Sequence, residues 1–590
     1  MPANSALKLE DLSARTFVPF AVRKVARARV IWLNHRYFLE QGINSLESST
    51  QEHYCRMLVD GYGVMVPDGS NSHLLTGAAS HFLADRYGGA GVSQHGGSGR
   101  SGISGPYNAK GIGRTPLASP DADWGHAHGY LPLREAIREA VAAEIANAEL
   151  PHGAVPIVAV IDIGCSMQRT PSSAPDRLGV VVRPNFVRPA HFERSIGFGS
   201  AGFAGSDQHQ DMLRVRENIA RITDGLLQPP FDMHSFMEAV AQQIGACRAL
   251  RLSQGRLLSS NITISGAMVD FGSFRAMANW RRAHGDVGEV FGDDERHVNN
   301  LAASLVFYMK KYGNCALPGA ADLISTVNES TDKWFVRNCI ASSIGNYAGS
   351  AANLAELFRA YYTEQQREVV KVDDPRDLRL PWIHARLVPL PSRYAQIDRQ
   401  RTPAEVALLA EFESLKKYGA TDCNIERFFR PRPLLNFNIS NERARRLCNR
   451  LPDDDLKVRS KVSSFIYSDI TKSRRSWRGL DRDLDIHAHI VTPSTEAVAG
   501  LNLQSGRAEM RIRAHIVEGN VAIFEQIYPL LCVQERAEHI LDREVILNIP
   551  IRCLRRRHRI VYFRNQPLFH EQQLFWSRCS DGTLLGFLDG

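Results

Sequence analysis

The sequence predicts an α+β chain of more than one packed unit, and three observations predict it. First, 590 residues exceed what one hydrophobic core ordinarily holds, so about two to four units are expected. Second, Leu133, Ile137, Val141, Ile145 and Leu150 recur along LREAIREAVAAEIANAEL with the spacing of one apolar helix stripe. Third, β-branched runs stand on either side of a helix-rich middle. Val155 to Ile163 and Leu178 to Arg183 precede it; RAEMRIRAHIV, VAIFEQIY, REVILNIPI and HRIVYF follow beyond about Asn436.

Taken in order, Val22 to Phe38 alternates basic and apolar residues and ends in aromatics. The Gly- and Ser-rich passage from Gly88 to Gly113 reads either as a linker or as a backbone that must approach phosphate closely. Helical patterns dominate from Gln208 to about Arg251. A short strand-like piece, Asn261 to Phe271, is followed by further helices through about Glu368. Asp373 to Arg401, rich in Pro and Arg, reads as a connector.

Composition excludes several classes. With 44% apolar and 23% charged residues, the chain reads as globular rather than disordered or fibrous. No apolar run reaches the roughly 18 residues of a spanning helix. Ala154 to Ile163 is short and Pro-punctuated, a buried strand. The N-terminal MPANSALKLEDLSART lacks a basic-then-apolar signal pattern, so a cytoplasmic location without membrane partners is expected. The 10 cysteines, scattered from Cys55 to Cys579 without a CxxC, are expected to be free thiols. The net charge of +8 is concentrated in KSRRSWR (Lys472 to Arg478) and RCLRRRHR (Arg552 to Arg559). Neither run has the interleaved aromatic pattern of an RNA-binding sheet, so they read as solvated or partner-docking faces, and nucleic acid is not an expected partner.

Several segments in sequence order have the chemistry of a nucleotide site. Gly97-Ser98-Gly99-Arg100 is a small-residue turn ending in a cation. Lys110, in YNAKGIG, lies where a strand leaves that turn; it can pair with phosphates and with Glu139 of the following helix. Arg183 and Arg188, in VVVRPNFVRPAHFE, suit phosphate oxygens because guanidinium binds them bidentately. Asn261, followed by Asp270-Phe271-Gly272, is the kind of oxygen pair that holds Mg²⁺ or Mn²⁺. A separate pattern, Asp483-Leu484-Asp485-Ile486-His487-Ala488-His489, puts two Asp and two His on one face of a strand, either a metal face or a polar exposed one.

These segments resemble the selenoprotein O family. NAKGIGRTP is similar to its LKGAGxTP, LREAIREAVAAE to its LRSxIREFLASE, VRPAHFE to its LRFGHFE, and NITISGAMVDFGSF to its NMSxxGLTxDYGPF. RARVIWLNHRYF is similar to its early ARxxWxN strand, so the likeness runs from about Val22 to Gly313. The resemblance implies a protein-kinase-like bilobal fold in which ATP lies flipped and AMP passes to a protein hydroxyl. It implies that Gly97, Gly99 and Arg100 contact phosphate, that Lys110 is held by Glu139, and that Gly129 stands near a second nucleotide-contacting loop. It also implies nucleotide contacts from Arg183, Arg188 and Asp270, and metal ligation by Asn261 and Asp270.

The chain departs from the family in three places. Ser260 stands where the family has its proton-accepting Asp; the loop before Gly129 carries an extra DADWGHAHG; and the two arginines are closer together. Ser260 cannot take a proton at neutral pH, and general-base help is worth about 10²–10⁴-fold. Either hydroxyl transfer persists weakly through positioning and phosphate neutralisation, or His126 or His128 of the inserted loop takes the base role, or the acceptor is a carboxylate that needs no base, such as a peptide C-terminus. The competing expectations are an ATP-binding pseudoenzyme scaffold, or a binding function in the late basic region. The expected units are a β-rich N-lobe over 1–190, a helical C-lobe with the metal site over 191–400, and a strand-containing extension over 401–590.

Overall fold

Strand-forming sequence between Phe17 and Pro184 builds one antiparallel sheet of nine strands. They are β1 (Phe17–Val25), β2 (Arg29–Leu33), β3 (Val64–Met65), β4 (Leu75–Asp85), β5 (Ser101–Ser104), β6 (Tyr107–Lys110), β7 (Leu131–Pro132), β8 (Ala159–Met167) and β9 (Asp176–Pro184). Their order is β2-β8-β9-β6-β5-β4-β1-β3, with β7 added to β9. The computed structural model describes residues 7–89, 96–119, 128–168, 175–195, 205–223, 231–255, 257–277, 279–285, 288–313, 317–343, 352–371, 402–415, 437–473, 486–491, 495–501, 508–517, 521–530, 558–562, 573–578 and 584–589.

The sheet is covered on both faces, which is why β9 reads as an unbroken Val180-Val181-Val182. Val180 and Val182 join Ala109, Phe20 and Phe82 in one core, completed by α1 (His35–Glu40) and α2 (Ser48–Tyr62). Val181, Val160 and Ile103 belong to the opposite core, which contains α3 (Leu133–Glu149). The stripe expected on α3 is buried, and so are Arg138, Glu139, Glu144 and Glu149. The helix is therefore central rather than a surface helix with one wet face. Glu144 accepts from Asn34 Nδ2 at 2.7 Å, and Arg134 grips Asp176 of β9 at 2.9 and 3.0 Å.

Helical segments follow: α4 (Gly205–Thr223), α5 (Met233–Leu250), α6 (Asp294–Tyr312), α7 (Ala320–Ser343), α8 (Ala352–Gln365) and α9 (Pro403–Leu415). Gly245 permits the close packing of α5 on α7, since a Cβ there would lie 2.6 Å from the Thr331 carbonyl oxygen. Trp280, Phe335, Phe358 and Phe412 join α7, α8 and α9 in a separate core. Farther on, α10 (Phe437–Cys448) and α11 (Asp455–Ser473) pack back on α3, and α11 also on β2. Two antiparallel meanders complete the described chain. One has strands Ile486–Val491, Thr495–Leu501, Ala508–Val517 and Val521–Leu530; the other has His558–Tyr562, Gln573–Arg578 and Leu584–Asp589. The class is α+β.

Several expectations need correction. The strand placed at Val155 to Ile163 runs instead from Ala159 to Met167; Pro156 has no N–H to donate to a ladder at the start of the expected run. Asn261 to Phe271 is no single strand. It is a tight hairpin in which Ile262 pairs with Met268, and Gly266, at φ +82°, turns the chain. The helix-only passage through Glu368 is interrupted by short strands at Arg275–Ala276, Arg282–Gly285 and Gly288–Phe291. Of the Gly-rich passage, residues 96–113 are no linker, since they form the β5–β6 hairpin and its flanking turns. The connector at 373–401 and REVILNIPI lie outside the described residues.

Candidate nucleotide site

The site is built where the β5–β6 hairpin, α3 and the Asn261–Asp270 hairpin meet. In the first of these, Gly97 has φ +153°, and a Cβ there would collide with the Asp85 carbonyl. Glycine is required for that approach. Gly99 is less constrained; its Cβ would lie 3.3 Å from Ala118 Cα. The Arg100 carbonyl accepts from Gly111 N–H at 2.8 Å, which closes the hairpin below Ser101 and Lys110.

Strand register decides which side chains share a face. Lys110 is paired with Val181, and Asn108 with Arg183. With a period of two, Lys110, Asn108 and Arg183 all face the α3 side. Lys110 is only 2% exposed, and its Nζ donates to Glu139 Oε1 at 2.6 Å and to Asp270 Oδ1. Buried lysine at such depth requires carboxylate partners. Glu139 Oε2 is buried without a hydrogen-bond partner.

Asp270 is the most exposed member, its side chain 38% accessible. Its backbone is left-handed, φ 64° and ψ 80°, which costs of order 1–3 kcal/mol for a non-glycine residue. Gln254 Nε2 holds that conformation by donating to the carbonyls of Val269 (3.2 Å) and Asp270 (3.0 Å). Desolvation works against the Asp270 carboxylate, but Lys110, Arg100 and Arg183 outweigh it and hold the carboxyl below the usual range.

Arg183 is buried, with Nε donating to Asn108 Oδ1 at 3.3 Å and the guanidinium 5.0 Å from the Phe186 ring centre. Arg188 is buried between two rings, 4.2 Å from Tyr87 and 4.7 Å from Phe186. Its Nη1 donates to the Ser260 carbonyl at 2.9 Å, while its Nε is buried without a hydrogen-bond partner. Val269 N–H donates to the Asn261 carbonyl at 3.0 Å, so the hairpin brings Asn261 and Asp270 to one end. Ser260 gives its hydroxyl hydrogen to Asn261 Oδ1 at 3.4 Å. Ser259 gives its own to buried Glu193, whose carboxyl burial pushes upward in pKa.

Not every expected residue joins this cluster. Gly129, at φ +72°, packs on the backbone of Gly113 and Arg114 and so supports the turn after Lys110. The His128 ring stacks on Tyr130, and its Nδ1 accepts the Tyr130 N–H at 2.9 Å, so that nitrogen is occupied. His126 lies outside the described residues. So do Asp483 and Asp485; His487 and His489 fall on the strand Ile486–Val491.

Four residues escaped the sequence reading. Asp85 receives Ser98 Oγ–H at 2.5 Å and His191 Nε2 at 3.1 Å, and Tyr87 stacks on Arg188. Glu193 caps Ser259. The only signal was the HFE of VRPAHFE, which carries His191 and Glu193; nothing in ADRYGG marks Asp85 or Tyr87.

Chemically, Lys110, Arg100 and Arg183 act on the one Asp270 carboxylate, and Arg188 reaches the carbonyl next to Asn261. That arrangement suits a polyanion accompanied by a hard divalent cation. Among the described residues no group of three or more His, Cys, Asp or Glu could hold a metal. Asn261 and Asp270 supply two oxygen donors, which fits Mg²⁺ or Mn²⁺ when phosphate and water fill the other positions. No family model matches the chain, and no curated protein matches it.

Proposed function

We propose that this chain binds ATP with Mg²⁺ or Mn²⁺ in a protein-kinase-like bilobal arrangement and transfers AMP to a protein acceptor. The observation that carries the reading is the buried Lys110–Glu139–Asp270 cluster, with Arg100 and Arg183 acting on the same carboxylate. A lysine locked between a helix acid and a strained, accessible aspartate is costly to bury for stability alone. Its components come in the order and on the elements that the resemblance to the selenoprotein O family implies.

In this reading Lys110, kept in place by Glu139, meets phosphate oxygens, and Arg183 and Arg188 neutralise the rest of the chain of phosphates. Asn261 and Asp270 would hold the divalent cation, which withdraws charge from the leaving pyrophosphate. The acceptor oxygen bonds to the α-phosphorus, the bond to pyrophosphate breaks, and a hydroxyl acceptor loses its proton to solvent.

That proton has no acceptor in Ser260, whose hydroxyl is engaged with Asn261 and whose carbonyl is engaged with Arg188. This favours a second reading, adenylation of an already ionised carboxylate such as a peptide C-terminus. The test uses purified protein, either cation, and ATP labelled at the α- or γ-phosphate, with Asp270→Ala as control. Protein label from α-ATP alone, lost in the variant, is the expected outcome. Label from γ-ATP alone would mean phosphorylation and would overturn AMP transfer. No label from either, with ATP still bound, would leave a missing carboxylate acceptor or a pseudoenzyme, which added acceptor peptides distinguish. Free-acid peptides modified over C-terminally amidated ones would select the carboxylate reading; equal modification would reject it.

A further inference from the structure

We propose that Asp85 and His191 are the positioning couple of this site, fixing the glycine turn and Arg188 in one arrangement suited to a polyphosphate. The proposal rests on the nucleotide-binding reading above. Both residues are buried, and among the described residues neither hydrogen-bonds to the Lys110–Glu139–Asp270 cluster.

The hydrogen bonds form one continuous chain across the site. Asp85 takes Ser98 Oγ–H on Oδ1 at 2.5 Å, and its main-chain oxygen takes Ser98 N–H at 2.9 Å. Ser98 is therefore held twice by one residue, between Gly97 and Gly99. On its other side, Asp85 Oδ2 faces His191 Nε2 at 3.1 Å. His191 Nδ1 accepts the main-chain N–H of Arg188 at 3.1 Å. An amide N–H can only donate, so Nδ1 carries no proton and the ring hydrogen sits on Nε2, directed at Asp85. Arg188 then reaches the Ser260 carbonyl, next to Asn261. The couple thus joins the turn, the arginine and the start of the Asn261 hairpin.

The couple is itself anchored. The His191 carbonyl accepts from Arg214 Nη1 at 2.6 Å and from Asn218 Nδ2 at 3.0 Å. Tyr87 closes the other side, its ring edge-on to His191 at 5.8 Å and beneath the Arg188 guanidinium at 4.2 Å. Burial keeps His191 neutral, its pKa lowered to about 4, and the Asp85 charge faces Arg188 across the site. A nucleophilic Ser-His-Asp role is excluded by connectivity, because Ser98 donates to the carboxylate and not to the imidazole.

The Asp85–His191 couple is tested by calorimetric titration of ATP and of adenosine, each with Mg²⁺, into wild type, Asp85→Asn, His191→Gln and Ser98→Ala. Loss of a charge-assisted hydrogen bond predicts ATP affinity down about tenfold in the first two variants and about fivefold in Ser98→Ala. Adenosine affinity should stay within about twofold, since the couple orients only phosphate-facing groups. Equal losses for both ligands, or no loss for ATP, would overturn the proposal. Ser98→Ala, which leaves the Asp85–His191 pair in place, keeps the test alive if the other two fail to fold. Imidazole and guanidinium NMR separates the two readings. If wild type binds neither ligand, the nucleotide reading fails, but the couple is still judged. A His191 Nε2–H tautomer and an Arg188 guanidinium resonance that moves in Asp85→Asn support it. An Nδ1–H tautomer or an unmoved Arg188 rejects it.

Discussion

Lys110 and Asp270 carry opposite costs. Lys110→Met leaves Glu139 buried without its cation, and breaking a buried pair costs about 3–5 kcal/mol. Asp270→Asn leaves Lys110 paired with Glu139, and asparagine tolerates the left-handed backbone. Urea unfolding should show Lys110→Met much less stable than wild type and Asp270→Asn only slightly so, while labelling from α-ATP is lost in both. At the same scale, two buried histidines set the acid limit. Burial is the chief cause that lowers both His35 and His191 from the ordinary histidine value of 6.5 to about 4. The unfolded chain therefore binds protons that the folded chain refuses, and stability falls as pH drops from about 6.5 toward 4. At about 1.4 kcal/mol per pKa unit, each histidine contributes a loss of up to about 3 kcal/mol. The urea midpoint should decline below pH 6.5, and His35→Gln should flatten the decline.

Among the elements, the β5–β6 hairpin and α3 matter most. Gly97→Ala meets the Asp85 carbonyl at a positive φ and is predicted to cost about 1–3 kcal/mol and to weaken ATP binding. Gly99→Ala meets Ala118 at 3.3 Å and should cost less than about 1 kcal/mol. Thermal melts and ATP titration of the pair check the order; equal effects would contradict the close approach. The α3 stripe was legible because a period of 3.6 survives in LREAIREAVAAEIANAEL. That its polar residues are buried as well was not legible, since Arg138, Glu139, Glu144 and Glu149 find their surroundings on distant segments. Likewise Asn261 to Phe271 has strand-like composition, but Gly266 turns it into the hairpin that brings Asn261 and Asp270 together.

At the scale of the whole molecule, α10 and α11 link the late chain to the site. Val458, Val462, Ile466 and Ile470 share one buried core with Ile137, Val141 and Ile145 of α3. Arg29 ties β2 to the Asp453 carbonyl at 2.9 Å, and Arg459 meets Glu52 at 3.4 Å. The helix that carries Glu139 is thus covered from behind by residues far along the sequence. Ile466→Ala is expected to cost about 2–4 kcal/mol. Hydrogen exchange should then speed up across 133–149 as well as in α11. Exchange confined to 455–473 would show that α11 does not support α3. No helix among the described residues is long and apolar enough to cross a membrane.

By itself the sequence determined the α+β class, the α3 helix, much of the strand content and Arg100, Lys110, Glu139, Arg183, Arg188 and Asp270 as candidate site residues. Those features are local: a period, a β-branched run, or a residue type with one chemistry. Only the tertiary structure decided which of them meet. Register places Asn108, Lys110 and Arg183 on one face, the hairpin sets Asp270 beside Lys110, and the chain's return buries Asp85 against His191. An isolated Asp or Tyr carries no periodicity, so its role is written only in what the fold brings next to it.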